Sequence, residues 1–311
     1  MISIFQRTIR DEKVNAIEEF RSGSWIYVES PTMEELANIA KDFELEEDLL
    51  KDGCDPYEVP RMEVEKNAIY LYTRVPVKTN NEITTAPLLI VLGVDFFLTI
   101  SNERYNFFRK MISQGSDFFT SQKTAMLIYV ISEILGIYNE SLTNIRRQVR
   151  IVSDHIEEIK NDDIVKFLDF EGIINDFLSA LIPTSAILSN LLSGKAPKDL
   201  IKLYEADQDL IEDLFLYSTQ TIELCKSSLK TIVNIREAYS IIMTNNLNRA
   251  IKLLTALTII VALPTLVTSI FGMNVRFPFP EGSFMVFWGI VIVMIGSVGF
   301  TAYFFIKKNW F

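Results

Sequence analysis

Two long uncharged runs of apolar residues near the C-terminus constrain most strongly what this chain can fold into. No residue is charged between Leu253 and Phe271, and none is charged between Gly282 and Ile306. Coiled as a helix, each run spans about 30 Å, which is the thickness of the hydrocarbon core of a bilayer. Because only residues 272–281 separate the runs, the two helices must form a hairpin. The sequence therefore predicts a large N-terminal body with a membrane hairpin at its C-terminal end.

The charges that flank the two runs predict their orientation. Arg249 and Lys252 precede the first run, two lysines follow the second, and the loop between them carries Arg276 against Glu281. Positive residues are enriched on the cytoplasmic side of membrane helices. We therefore expect a protein of the plasma membrane with both termini in the cytoplasm and the short loop outside.

Composition narrows the classes of function. The formal net charge is −10 and no basic patch stands out, so we expect no nucleic-acid partner. The two cysteines, Cys54 and Cys225, are far apart in sequence, and His155 is the only histidine. These residues offer neither the spacing of a metal site nor a nucleophile with its base, and the glycines form no phosphate-binding loop. We expect neither an enzyme nor an organic cofactor.

Residues 1–120 alternate between strand and helix patterns, which predicts an α/β domain in the cytoplasm. The segment Pro31–Phe43 reads as a helix, with Ser30 as its N-cap. Strands are predicted at Trp25–Val28, Ala68–Val75, Pro87–Val94 and Phe96–Ile100, the last two as a hairpin that turns at residues 93–95.

The rest of the chain is helical. Helices are predicted over Lys123–Asn161 and over Asp163–Gly194, the second interrupted at Pro183. The chain then has no break until Pro264, which predicts one helix from about Leu200 to Phe271, roughly 100 Å long. The fold class is an α+β/α membrane protein with a long stalk helix and two C-terminal transmembrane helices. The predicted regions after the first domain are a cytoplasmic helical region (121–199), the stalk (200–249), the first transmembrane helix (250–271), the outer loop (272–283), the second transmembrane helix (284–306) and a cytoplasmic tail (307–311).

One face of the first membrane helix carries a seam of small and polar residues. The seam consists of Asn248, Ile251, Thr255, Thr258, Ala262, Thr265 and Ser269. One interpretation is close helix packing, in which case the hairpin anchors a membrane-attached coiled-coil scaffold. The other is a water-filled pore. Because two helices cannot enclose a pore, several chains would then surround it, each contributing its first helix.

The residues around this seam resemble a known family. The run Asn246–Thr255, then Pro264–Leu266, then Phe271–Asn274 is similar to the CorA family of magnesium transporters, the metal ion transporters that share a Gly-Met-Asn motif. The domain layout resembles that family as well.

The resemblance implies a homopentameric channel in the membrane lipid, in which copies of the chain are each other's partners. It implies influx of a divalent cation, Mg²⁺ first and Co²⁺ or Ni²⁺ as well, driven by the membrane potential and gated by cytosolic Mg²⁺. The first helices would line the pore, and Gly272, Met273 and Asn274 would form the selectivity filter at its outer mouth.

The outer loop departs from the pattern of the family. Arg276 stands where an acidic residue is common, and Glu281 is displaced by one position. These charges would weaken the concentration of cations at the mouth. A zinc-transporting branch of the family keeps the same motif, so a zinc transporter remains an alternative.

An acidic stretch at the start of the stalk resembles the regulatory metal site of the family. Asp209, Glu212 and Asp213 fall on one helical face, and Asp213 lies where the family places a sensing aspartate. The alternative is a solvated helix start, where acidic residues also interact favourably with the helix dipole.

Overall fold

The computed structural model describes residues 1–79, 82–113, 119–154, 159–194, 197, 200–273, 284–308 and 310. These residues form two compact units, Met1–Val233 and Asn234–Phe311.

A seven-stranded mixed sheet lies in the first unit. Its strands are β1 (Ile2–Gln6), β2 (Asn15–Ile17), β3 (Ser24–Glu29), β4 (Arg61–Glu65), β5 (Ala68–Thr79), β6 (Glu82–Leu92) and β7 (Phe96–Ser101). The spatial order is β2-β1-β3-β7-β6-β5-β4, and only the β3–β7 pair is parallel. The strands predicted from the sequence are confirmed, including the hairpin of β6 and β7. The strand β5 extends four residues beyond its predicted end, and β6 begins five residues earlier and ends two residues earlier than predicted.

Helices cover both faces of the sheet, which is why β3 and β7 are almost entirely buried. One face packs against α1 (Met33–Asp42) and α2 (Glu47–Asp52), whose Leu36 and Leu50 are fully buried with Tyr70 and Leu89. On the other face lies α4 (Lys123–Ser153), after the short α3 (Asn106–Ser113). The hydroxyl of Tyr138 on α4 donates a hydrogen bond to the backbone oxygen of Arg74 on β5, at 3.0 Å. This bond ties the helical layer to the sheet.

The N-cap of α1 is Thr32, so the prediction of Ser30 was wrong. The backbone N–H of Glu35 donates to the Thr32 hydroxyl, and the Glu35 carboxylate accepts from the backbone N–H of Thr32. Such a reciprocal capping box requires a Glu or Gln three residues after the cap, and Ser30 is followed at that spacing by Met33. The Ser30 hydroxyl donates instead to the backbone oxygen of Asn102.

The fifth helix, α5 (Asn161–Leu192), passes through Pro183 without a break, so the predicted interruption was wrong. A proline inside a helix removes one backbone hydrogen bond. Here Phe177 and Leu181 before it and Leu188 after it are fully buried in the core. Packing on both sides of the proline holds the helix together.

The single long helix predicted from about Leu200 is confirmed as α6 (Glu205–Phe271), which includes Pro264. It begins five residues later than predicted, where the Asp207 carboxylate accepts a hydrogen bond from the backbone N–H of Tyr204 at 3.1 Å. The last helix is α7 (Phe284–Lys307).

Within the described ranges, four helices are long and apolar enough to cross a membrane: α4, α5, α6 and α7. Half of the most apolar 18-residue stretch of α4 and 44% of that of α5 are already buried inside the structure. The corresponding stretch is 6% buried in α6 and not buried in α7. The apolar surfaces of α4 and α5 therefore serve the core of the first unit. Those of α6 and α7 are left for lipid or for other chains.

Candidate functional site

The seam lies along one exposed face of α6. All seven of its residues are exposed, from Asn248 to Ser269, which is a rise of about 32 Å along the helix. A different face of the same helix is covered: Ala256 is fully buried, and Ile260, Leu263 and Val267 follow it at helical spacing and are half-buried. The covered face accounts for packing within the second unit, so the seam is available to water or to another chain.

The threonine hydroxyls of the seam bond to their own helix. Thr255 donates to the backbone oxygen of Ile251 at 2.8 Å, and Thr258 donates to that of Leu254 at the same distance. Thr265 donates to the backbone oxygen of Val261 at 2.9 Å. The hydrogen of each hydroxyl is therefore used within the helix, while the oxygen keeps a lone pair. Towards the open side of the seam, these groups act as hydrogen-bond acceptors.

The second half of the seam is concave. A shallow groove of about 700 Å³ runs along it, with an apolar rim of leucine and valine. The residues that line it are Leu257, Thr258, Val261, Ala262, Thr265, Leu266 and Ser269. The groove places two threonines and a serine in a row, at rises of about 10 Å and 6 Å from one to the next.

The chain turns tightly at the end of α6. The backbone N–H of Gly272 donates to the Thr268 oxygen at 2.9 Å, and that of Met273 donates to the Ile270 oxygen at 3.3 Å. A Cβ atom at Gly272 would lie 3.2 Å from the Thr268 oxygen, which is tighter than ordinary contact. Gly272 therefore suits this close helix end. Three residues singled out in the sequence, Asn274, Arg276 and Glu281, lie outside the described residues.

The acidic residues of the stalk do not form a metal site within one chain. Asp209, Glu212 and Asp213 are exposed, opposite the buried Ile211 and Leu214. Among the described residues, no three histidine, cysteine, aspartate or glutamate side chains come together in a way that could hold a metal ion. The three carboxylates instead form an exposed face that a second chain could approach.

Comparison with known proteins gives the same overall layout. Residues 21–308 match the family model described as CorA-like Mg²⁺ transporter protein. The chain is 23% identical to the cobalt/magnesium transport protein CorA of Methanocaldococcus jannaschii over 296 residues, covering 92% of this chain and 90% of the relative.

Two solved structures agree over almost the full length of the chain, and a third agrees over three quarters of it. The complete structure of the CorA magnesium transporter from Methanocaldococcus jannaschii superimposes with a TM-score of 0.87 at 20% identity, covering 100% of this chain and 99% of the other. The full-length CmaX protein gives 0.76 at 18% identity, with 99% and 97% covered. The cytoplasmic domain of ZntB from Vibrio parahaemolyticus gives 0.62 at 9% identity, with 76% and 96% covered. At these identities the likeness to the structures establishes the fold.

Proposed function

This chain belongs to the CorA-like Mg²⁺ transporter family, a family of transporters and not of enzymes, and we propose that it moves Mg²⁺ into the cell through a pore formed by several copies. The seam of α6 would line that pore, and α7 would form an outer ring against lipid. By resemblance to the family, five copies surround the pore in the plasma membrane, with both termini in the cytoplasm.

The exposed seam is the observation that carries this proposal. A hairpin that only anchors a scaffold has no use for threonines repeated along one uncovered face, because an exposed hydroxyl gains nothing from lipid. In a ring of chains, the same hydroxyls would face water. Since their hydrogens are bonded within the helix, they would present oxygen acceptors to the waters around a cation.

A hydrated ion explains why acceptors rather than charges would line the path. Mg²⁺ gives up its water reluctantly, so contact through its hydration shell costs less than direct ligation. At the outer mouth, the amide oxygens of Asn274 would accept hydrogen bonds from that shell, next to Gly272 and Met273. The membrane potential would drive entry with roughly 4.6 kcal/mol per 100 mV for a divalent ion.

Regulation would use the carboxylates of Asp209, Glu212 and Asp213. Their chemistry fits Mg²⁺, which proteins usually bind through one or two carboxylates and several waters. Because the described part of one chain assembles no such site, the remaining ligands would come from a neighbouring chain. Bound Mg²⁺ would then bridge two chains and hold the pore closed when the cytosol is replete.

Ion uptake by proteoliposomes tests the transport proposal. The full chain would be reconstituted, the membrane potential clamped, and the uptake of Mg²⁺, Co²⁺, Ni²⁺ and Zn²⁺ measured one ion at a time. We expect Mg²⁺ uptake that Asn274→Ala reduces. The matched control is Asn246→Ala, which removes an exposed amide from α6 away from the seam and should leave uptake unchanged.

The possible outcomes separate the competing functions. Uptake of Zn²⁺ without Mg²⁺ would support the zinc alternative, in keeping with the fold shared with ZntB. If neither the wild type nor the variants pass any of the four ions, the transport proposal is wrong and the scaffold becomes the better explanation.

A further inference from the structure

A basic groove lies between α4 and α6 in the first unit, away from the seam. Its volume is about 490 Å³, within the usual range for small-ligand pockets. Three arginines and two hydroxyl groups of α4 form one wall, and three hydroxyl groups of α6 form the other. The lining residues are Thr143, Arg146, Arg147, Val149, Arg150 and Ser153 of α4, and Ser227, Ser228 and Thr231 of α6.

Among the residues that the structure describes, no acidic one lines this groove, although the whole chain has a net charge of −10. Arg146, Arg147 and Arg150 are exposed, and none of them forms an ion pair with another residue in the described ranges. Elsewhere in the first unit arginines are engaged: Arg61 contacts three carboxylates, and Arg104 donates to Glu29 at 2.6 Å. The groove therefore concentrates three positive charges that the described part of the chain leaves uncompensated.

Helical spacing explains why the three charges converge. Arg150 is four residues from Arg146 and three from Arg147, so all three side chains share one face of α4. On the opposite wall, Ser227 and Thr231 are four residues apart on α6. The hydroxyl of Thr231 already donates to the Ser227 backbone oxygen, whereas that of Ser227 makes no hydrogen bond within the described ranges. Because the Ser228 hydroxyl donates to the Leu224 backbone oxygen, Ser227 supplies the one hydroxyl donor of the α6 wall that is unused within the described ranges.

This combination matches the chemistry of phosphate. A guanidinium group donates two parallel hydrogen bonds to a phosphoryl group, and such charge-assisted bonds are about twice as strong as neutral ones. Three guanidinium groups carry three positive charges, which exceed the charge of about −2 on a single phosphoryl group. The groove therefore fits several linked phosphoryl groups better than one.

Phosphoryl groups occur both in lipid headgroups and in soluble molecules. A glycerol phosphate headgroup carries one phosphoryl group, whose charge does not balance three guanidinium groups. A soluble polyphosphate carries several linked phosphoryl groups and therefore fits the groove better. We propose that the groove binds a soluble polyphosphate, of the inorganic or nucleoside polyphosphate class.

Calorimetric titration of the full chain in detergent tests this proposal. The probes are tripolyphosphate and ATP, with orthophosphate and glycerol phosphate as a monophosphate and a headgroup mimic, all in about 150 mM salt without Mg²⁺. We expect saturable binding of tripolyphosphate and ATP, and binding of the two monophosphates that is weaker by about tenfold or more. Binding of ATP without tripolyphosphate, or the reverse, would identify which class the groove takes.

Charge-removing variants locate the site. Arg146→Gln and Arg150→Gln should each weaken binding by about tenfold, the loss of one charge-assisted hydrogen bond. The matched control is Arg10→Gln, which removes the same charge from an exposed arginine outside the groove and should leave binding unchanged. Because these arginines are exposed, the variants are expected to fold, which their melting curves would verify.

Four results would overturn the proposal. They are no saturable binding of either polyphosphate up to about 1 mM, preference for glycerol phosphate, equal loss of binding in Arg10→Gln, and a change in oligomeric state of the arginine variants without any polyphosphate binding. The last result would assign the groove to an acidic segment of another copy. All four are independent of ion uptake, so they do not depend on the transport proposal.

Discussion

Replacement of one hydroxyl in the middle of the seam should reduce ion flux sharply. Thr265 lies between Thr258 and Ser269 in the groove of α6. Thr265→Val keeps the shape of the side chain and removes its hydroxyl, and with it both the oxygen acceptor and the hydrogen bond to the Val261 backbone oxygen. Thr265 lies seven residues after Thr258 and four residues before Ser269. Without Thr265, the path would have no hydroxyl for eleven residues, or about 16 Å.

That length determines the size of the expected effect. A hydrated ion crossing the stretch would lose the acceptors that its waters contact at the Thr265 level, each worth about 1 kcal/mol net. If two acceptors contact the hydration shell at a time, the barrier rises by about 2 kcal/mol, which slows passage about thirtyfold. An apolar constriction of this kind also tends to exclude water. We therefore expect a reduction of at least tenfold.

The assay is Mg²⁺ uptake into proteoliposomes at a fixed membrane potential, with equal amounts of folded protein. Thr268→Val is the matched control, because Thr268 is also exposed, lies off the seam and donates its hydroxyl to a backbone oxygen of the same helix. It should keep flux within about twofold, and Thr265→Ser should restore most of it. Wild-type flux in Thr265→Val would show that the seam is not the ion path. An equal loss in Thr268→Val would attribute the effect to helix packing.

Two further predictions concern the first unit. Asp213→Asn should raise by about tenfold the Mg²⁺ concentration that protects the stalk from protease, because it removes one charged ligand. The control Glu237→Gln, which changes another exposed acid of α6, should leave that concentration unchanged. Protection curves that coincide for the wild type and Asp213→Asn would exclude Asp213 from regulation. Burial raises the pKa of the Cys54 thiol from its ordinary value of 9.0 to about 11, so its thiolate fraction at pH 8 is lowered about a hundredfold. Alkylation of Cys54 should therefore be about a hundredfold slower than that of an exposed cysteine introduced by Ser240→Cys. The rate for Cys54 should rise about tenfold per pH unit up to about pH 10. A rate equal to that of the introduced cysteine would mean that Cys54 is open to solvent.

The parts of the fold that could be predicted are those whose signal is contained in a continuous stretch of sequence. The long helix α6 was predictable because no proline or glycine interrupts it before Pro264. The strands β5, β6 and β7 were predictable from dense β-branched and aromatic residues between turn residues. The seam residues recur at helical spacing and the structure leaves all of them exposed, whereas their place along a pore stays a prediction.

The parts that could not be predicted depend on partners distant in sequence. Pro183 looked like a break, yet buried neighbours on both sides keep α5 continuous. The basic groove was missed because its two walls, around Arg146 and around Ser227, are about eighty residues apart and carry no motif. Nothing in the local pattern indicated that α4 and α6 would bring them together.

Apolar composition alone would have predicted too many membrane-spanning helices. Four helices of the described ranges have the length and composition of a membrane span, but α4 and α5 are less apolar than α6 and α7. Burial separates the two pairs: the apolar faces of α4 and α5 cover the sheet, and those of α6 and α7 are uncovered. An uncovered apolar surface of this size requires lipid or other chains.

If the chain transports ions as proposed, the seam of α6 and the outer mouth beyond Gly272 would select an ion in different ways. Because the threonine hydrogens are bonded to Ile251, Leu254 and Val261, the seam offers oxygen acceptors, which favour the waters of a hydrated cation over those of an anion. Such acceptors distinguish the sign of the charge and not one divalent cation from another. Choice among divalent cations would then fall to the outer mouth beyond Gly272, where the ion first meets the protein. We therefore expect substitutions in the seam to change the rate for all divalent cations alike, and substitutions at Asn274 or Arg276 to change their order of preference.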